Sequence, residues 1–184
     1  SVKNNINAEN VWVTGMYYRI YYQITLCNEF IGQSSDAKLD ERGFSDNDKV
    51  MIRMYRNEAR FLRALSYYHA LDLFGNVPFV DENDHVGAFQ PERITRADLF
   101  AYVENELLAI EPELTPASSV VYGHASKAAA QALLAKLYLN AEVYTGTARW
   151  ADCKYYSQKI IDAGPFTLDR SEEHTSELQS PSNL

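Results

Sequence analysis

Enzymes, metal sites and phosphate sites each need particular residue types at particular spacings, and those spacings are missing from this sequence. It holds no G-x-S-x-G elbow, no phosphate-cradling G-x-x-x-x-G-K-[ST] loop, no H-E-x-x-H and no C-x-x-C. Cys27 and Cys153 are too few for a four-thiolate zinc site or a disulfide framework. Both fall on apolar stripes, where a thiol acts as a small hydrophobe. His69, His85 and His124 are scattered, one on a helix and two in loops. The nearest approach to a ligand set is Asp81, Asn83 and His85 in alternation, with Glu92 twelfth in the count from Asp81. That is the spacing of a calcium loop. Val86 stands where such a loop needs its sharp-turn glycine, so no metal is expected. Asp81, Glu82 and Asp84 cluster as a glycosidase acid pair would, but no apolar frame surrounds them to raise a pKa. The chain is therefore read as a non-enzyme with no cofactor.

The aromatic residues point to a different chemistry. Tyr occurs 13 times and aromatic residues make up 12% of the chain. Sugars are bound on flat apolar faces, with hydrogen-bonding groups at the rim for their hydroxyls. Nearly every Tyr here lies at helical core spacing and is read as packing. Phe79, Phe89 and Tyr122 fall in loops and are the candidate ligand-facing rings.

Composition narrows the class. The 184 residues suffice for one domain, and 46% apolar with 23% charged residues can fold around a core. A formal net charge of −8 argues against a nucleic-acid partner, which would require clustered Lys and Arg. No apolar run approaches the roughly 20 residues of a membrane helix.

Helical periodicity runs through the chain. Trp12, Met16, Ile20, Ile24 and Cys27 predict a helix over about 8–30, with one face buried. Residues 32–45 read as a loop. Ser45 with Asp48 then caps a second helix, whose stripe is Phe61, Ala64, Leu65, Tyr68 and Leu71. Gly75 and Pro78 end it. A crossover of about twenty residues follows, long enough to carry function. Thr95 with Asp98 caps a third helix, with Leu99, Tyr102, Val103, Leu107 and Ile110 as its stripe, ending near Pro112. A fourth runs from Ser126 through Tyr144, and a fifth carries Trp150, Cys153, Tyr156 and Ile160 to Gly164. Leu62, Ala64 and Tyr67 match Leu133, Ala135 and Tyr138 at a constant offset, about two units of a 34-residue helix-pair repeat. The expected fold is all-α, built of stacked antiparallel helix pairs.

Particular residues carry a family resemblance. Glu58-Ala59-Arg60-Phe61-Leu62-Arg63-Ala64, then Tyr67-Tyr68, Leu73-Phe74-Gly75 and Val77-Pro78, resemble the signature of the SusD/RagB family of cell-surface nutrient-binding lipoproteins. Arg93-Ile94-Thr95-Arg96 with Val103 to Leu107, Ser126 to Ala130 with Leu133 to Leu139, and Trp150-Ala151 with Ile160-Ile161 resemble the helices that follow. The resemblance covers residues 8–169. It implies tetratricopeptide-like helix pairs, as in the amino-terminal part of that family, and gives Glu58, Arg60, Phe61, Leu62, Arg63, Ala64, Gly75 and Pro78 a structural role.

It also implies a function. The protein would capture oligosaccharide or another polymeric nutrient at the outer-membrane surface and work with a SusC-like TonB-dependent transporter. Its membrane attachment would be a lipid anchor outside these residues. The family's ligand contacts vary and lie largely beyond them. Arg60 and Arg63 are expected to lie along a neighbouring helix and pair with carboxylates such as Glu58 or Asp72. The rival reading is a soluble tetratricopeptide-like scaffold that holds a peptide.

Residues 1–169 are thus expected to form a partial helical domain of this type. Arg170 to Leu184 (RSEEHTSELQSPSNL) has no apolar period and resembles a translated sequencing adapter, so it is expected to be a disordered tail outside the fold. Setting it aside removes one Arg and three Glu and leaves the charge negative.

Overall fold

The computed structural model of the chain describes residues 10–84 and 90–167. Helix α1 spans Val11–Gln33, and the Asn10 side chain accepts hydrogen bonds from the amides of Trp12 and Val13 at its start. Its buried face is Ile20, Ile24, Cys27 and Ile31. Trp12 and Met16, expected on the same face, are exposed. The ring of Tyr17 meets Phe74, the last residue of the helix on which α1 lies, at 5.4 Å, so the first turns of α1 overhang that helix end.

The segment expected to be all loop contains a short helix, α2, at Asp36–Glu41. Leu39 anchors it in the interior, and Asp36 accepts from Arg53 and Arg56. Helix α3, Asp46–Phe74, is capped as expected. Ser45 accepts from the Asp48 amide and donates to the Asp48 carboxylate. Phe61, Ala64, Tyr67, Tyr68, Ala70 and Leu71 are buried along it.

Beyond Gly75 the crossover carries two short strands, β1 (Val77–Pro78) and β2 (Arg93–Ile94). They pair antiparallel, with Val77 opposite Ile94. Helix α4, Arg96–Ile110, starts at a Thr95 cap that accepts from the Asp98 amide. It buries Leu99, Phe100, Val103, Leu107 and Ile110 and runs into a 3-10 turn at Glu111–Glu113.

Ser126 caps α5, Lys127–Leu139. The helix expected to continue through Tyr144 breaks at Asn140. A separate short helix, α6, follows at Ala141–Thr145. Helix α7, Trp150–Ala163, closes the described fold.

Helix α1 packs on α3, α3 on α4, α4 against α5 and α6, and α5 on α7. One core runs through these layers. The offset between Tyr67 and Tyr138 is a true structural echo, since both rings are buried with a hydrogen-bonded hydroxyl. It does not extend to Leu62, which is exposed, while Leu133 is buried.

Candidate functional site

The signature residues of α3 converge on a cluster of buried charge. Arg63 points inward and is 2% exposed. Its guanidinium donates to Asn28 Oδ1 of α1 (2.8 Å), to Glu106 Oε2 of α4 (3.1 Å) and to the carboxylate of Glu82 in the crossover. Arg60, one helical step away, grips the same Glu106 through two bonds of 3.1 and 2.8 Å. The ring of Tyr102 lies beside Arg63, its centroid 5.9 Å from the guanidinium carbon.

Burial alone would push the Glu106 carboxyl up. The hydrogen bonds and charges of Arg60 and Arg63 outweigh it and hold the group below the usual carboxylate range. Burial likewise opposes charge on Arg63, and Tyr102, Glu82 and Glu106 more than restore it. This is a locked ion cluster, in which Glu106 is held as a carboxylate between two guanidinium groups.

The expected partners of the two arginines are therefore corrected. Glu58 is two residues from Arg60, on another face of the helix, and Asp72 lies nine residues beyond Arg63. Glu58 instead meets His124 Nδ1 at 2.9 Å, and Asp72 accepts from the Tyr144 hydroxyl at 2.6 Å.

Around this cluster the crossover is fastened down. Tyr67 Oη donates to the Val80 carbonyl (2.6 Å) and accepts from the Val80 amide (2.9 Å). From α1, Tyr21 Oη donates to the Pro78 carbonyl (2.7 Å) and Asn28 Nδ2 to the Val80 carbonyl (3.1 Å). Burial pushes the hydroxyls of Tyr21, Tyr67 and Tyr102 up, so all three stay protonated. Gly75 turns the chain into this segment at φ +71°, with the Arg96 side chain behind it.

The three loop aromatics do not come together. Phe79 is half-buried, in ring contact with Tyr67 at 5.3 Å and Tyr102 at 4.7 Å, and so serves as a loop anchor. Tyr122 is fully exposed at a loop tip. Phe89 lies outside the described residues, as does His85. Of the signature positions, Phe61 and Ala64 are core residues, Leu62 is exposed, and Pro78 sits in β1.

An open groove of about 690 Å³ lies beside the crossover, with Phe79, Asp81, Asn83, Glu92, Arg93 and Asp98 among its lining. Asp81 and Asp84 accept from the loop's own amides, those of Asn83 and Asp81. Among the described residues no group of three or more His, Cys, Asp or Glu side chains is placed to hold a metal. Sequence reasoning missed Tyr21, Asn28, Glu82 and Glu106 as members of the cluster. Each is an ordinary polar residue until the fold sets it beside α3.

The comparisons with known proteins fit this architecture. A family model described as "Starch-binding associating with outer membrane", SusD-like, matches residues 1–139. The chain belongs to the SusD-like family. Its relatives include the starch-binding protein SusD of Bacteroides thetaiotaomicron, 38% identical over 150 residues, which are 82% of this chain and 24% of that protein. The chain thus spans about a quarter of that relative's length. A SusD-like carbohydrate-binding protein from Bacteroides fragilis superposes with a TM-score of 0.74 at 23% identity, over 91% of this chain and 30% of that one. Surface glycan-binding protein A from Bacteroides uniformis does so with a TM-score of 0.67 at 24% identity, over 85% and 33%. At such identities these two likenesses speak for the fold alone. In this chain Arg60 and Arg63 sit in a cluster that ties α1, α3, α4 and the crossover together.

Proposed function

We propose that this chain belongs to a cell-surface nutrient-binding protein of the outer membrane that takes a glycan as ligand and acts with a SusC-like TonB-dependent transporter. The family match over residues 1–139 carries this reading. The chemistry of the site agrees with binding: the charged side chains of the cluster neutralise one another, and none is set up to form or break a bond. On this reading the helices are the scaffold that braces a ligand-binding part, residues 1–169 are one helical unit, and membrane attachment comes from a lipid anchor elsewhere.

The test is electrophoresis in gels cast with a panel of polysaccharides. A polypeptide that joins these helices to the remainder of a SusD-like chain is expected to be retarded by one of them. The 184 residues alone are expected to run unretarded. Retardation of the short chain would place the ligand site on these helices. Failure of the long one across starch and other polymers would remove the glycan reading. Co-purification of the long polypeptide with a transporter barrel tests the partner separately.

A further inference from the structure

Helix α1 is held differently from the other long helices. It packs on α3, and its apolar grip is Ile20, Ile24, Cys27 and Ile31. Val11, Tyr18, Tyr22 and Leu26 on its far side are exposed. At its last turn Gln33 accepts from Arg42 and the Ser34 carbonyl from Arg56, and along the rest of the helix its polar ties to other elements run to the crossover and to Arg63. Tyr21 holds the Pro78 carbonyl, Asn28 holds the Val80 carbonyl, and Arg63 joins Asn28 to Glu82. At its end, a β-carbon on Gly32 would come within 3.5 Å of the Glu82 carbonyl oxygen. The segment 77–82 thus works as a strap, with bonds to α1 and to α3 besides its pairing with β2 and the bond from the Phe79 amide to the Glu92 carbonyl.

From these shared bonds we propose that α1 and the strap 77–82 open and close as one cooperative unit, separate from the α3–α4–α5 core and keyed by Asn28 and Arg63. Removing α1 strips the strap of two of its carbonyl partners and Arg63 of one of its acceptors. Removing the strap takes from α1 the partners of Tyr21 and Asn28 Nδ2 and leaves it its apolar face, the Asn28–Arg63 bond and the ties of its last turn. Helix α3 keeps α4 and α5 in either case, so the core has no reason to open with them.

Native-state hydrogen exchange on the 184-residue chain tests this. In the wild type, peptides covering 17–33 and 77–82 are expected to exchange with one common opening rate, faster than 99–110 and 128–138. Asn28→Ala is expected to speed both segments by the same factor, about five-fold, and to leave α4 and α5 unchanged. Tyr21→Phe, which keeps the ring and drops only the hydroxyl, is expected to do the same if Asn28→Ala proves too disruptive. Tyr144→Phe removes a comparable bond to Asp72 elsewhere and is expected to leave both segments alone. The proposal is overturned if α1 exchanges as slowly as α4 and α5. It is equally overturned if the Asn28 and Tyr21 variants accelerate only one of the two segments, or neither.

Discussion

At the scale of single residues, Arg63 carries the most consequence. It is a buried cation shared between Asn28, Glu82 and Glu106, so replacing it removes three bonds together. Arg63→Met keeps most of the volume but leaves Glu82 without its guanidinium. Because Arg60 still covers Glu106, the expected loss is about 3 kcal/mol, the low end for breaking a buried pair, read from urea unfolding midpoints. Tyr67→Phe leaves the part-buried amide of Val80 without its side-chain partner, while Asn28 still covers the carbonyl, and is expected to cost about 1–3 kcal/mol by the same measurement.

Glu106 gives the acid dependence. Its carboxyl is held low in the folded state, so its contribution is present above the unfolded value of about 4.3 and is lost as pH falls through the folded value. Glu106→Gln is expected to be less stable than the parent at pH 7, with the difference shrinking toward pH 3. A difference that stayed constant with pH would contradict the ion cluster. The two arginines stood out in the sequence one helical step apart, but their partners did not. Asn28 and Glu106 lie 35 and 43 positions from Arg63, and nothing local marks them.

At the scale of elements, the helix starts were the most legible feature, because a cap is chemistry within four residues. Ser45, Thr95 and Ser126 each accept the amide three residues on. Ser126→Ala is expected to cost about 1 kcal/mol in thermal or urea unfolding, through loss of the bond from the Ala129 amide. The end of α3 depends on backbone conformation. Gly75 sits at φ +71°, where a β-carbon is strained, and that carbon would also approach Arg96 Nε to 3.3 Å. Gly75→Ala is expected to cost about 1–2 kcal/mol from the backbone, with the flexible Arg96 side chain able to move aside. Less legible were the interruption between α5 and α6 at Asn140 and the helix α2. The apolar stripe runs through the first without a break, and the second is held by Leu39 and by arginines 17 and 20 residues away.

At the scale of the whole molecule, periodicity gave the all-α class but not which residues of a two-sided helix face the core. Helix α1 is apolar on both sides. The ending of α3 at Phe74, beside Tyr17, leaves Trp12 and Met16 in the open. The candidate ligand rings divide for a similar reason: Phe79 is claimed by Tyr67 and Tyr102, while Tyr122 has open space around it. What unites the molecule is one apolar core running through the helix layers, with the ion cluster of Arg60, Arg63, Glu82 and Glu106 joining α3, α4 and the crossover. The decisive measurement is to incubate the longer SusD-like polypeptide with the polysaccharide that retards it and assay the same sample for new reducing ends. Binding with no increase in reducing ends is the predicted result, and a steady release of reducing sugar would contradict the account.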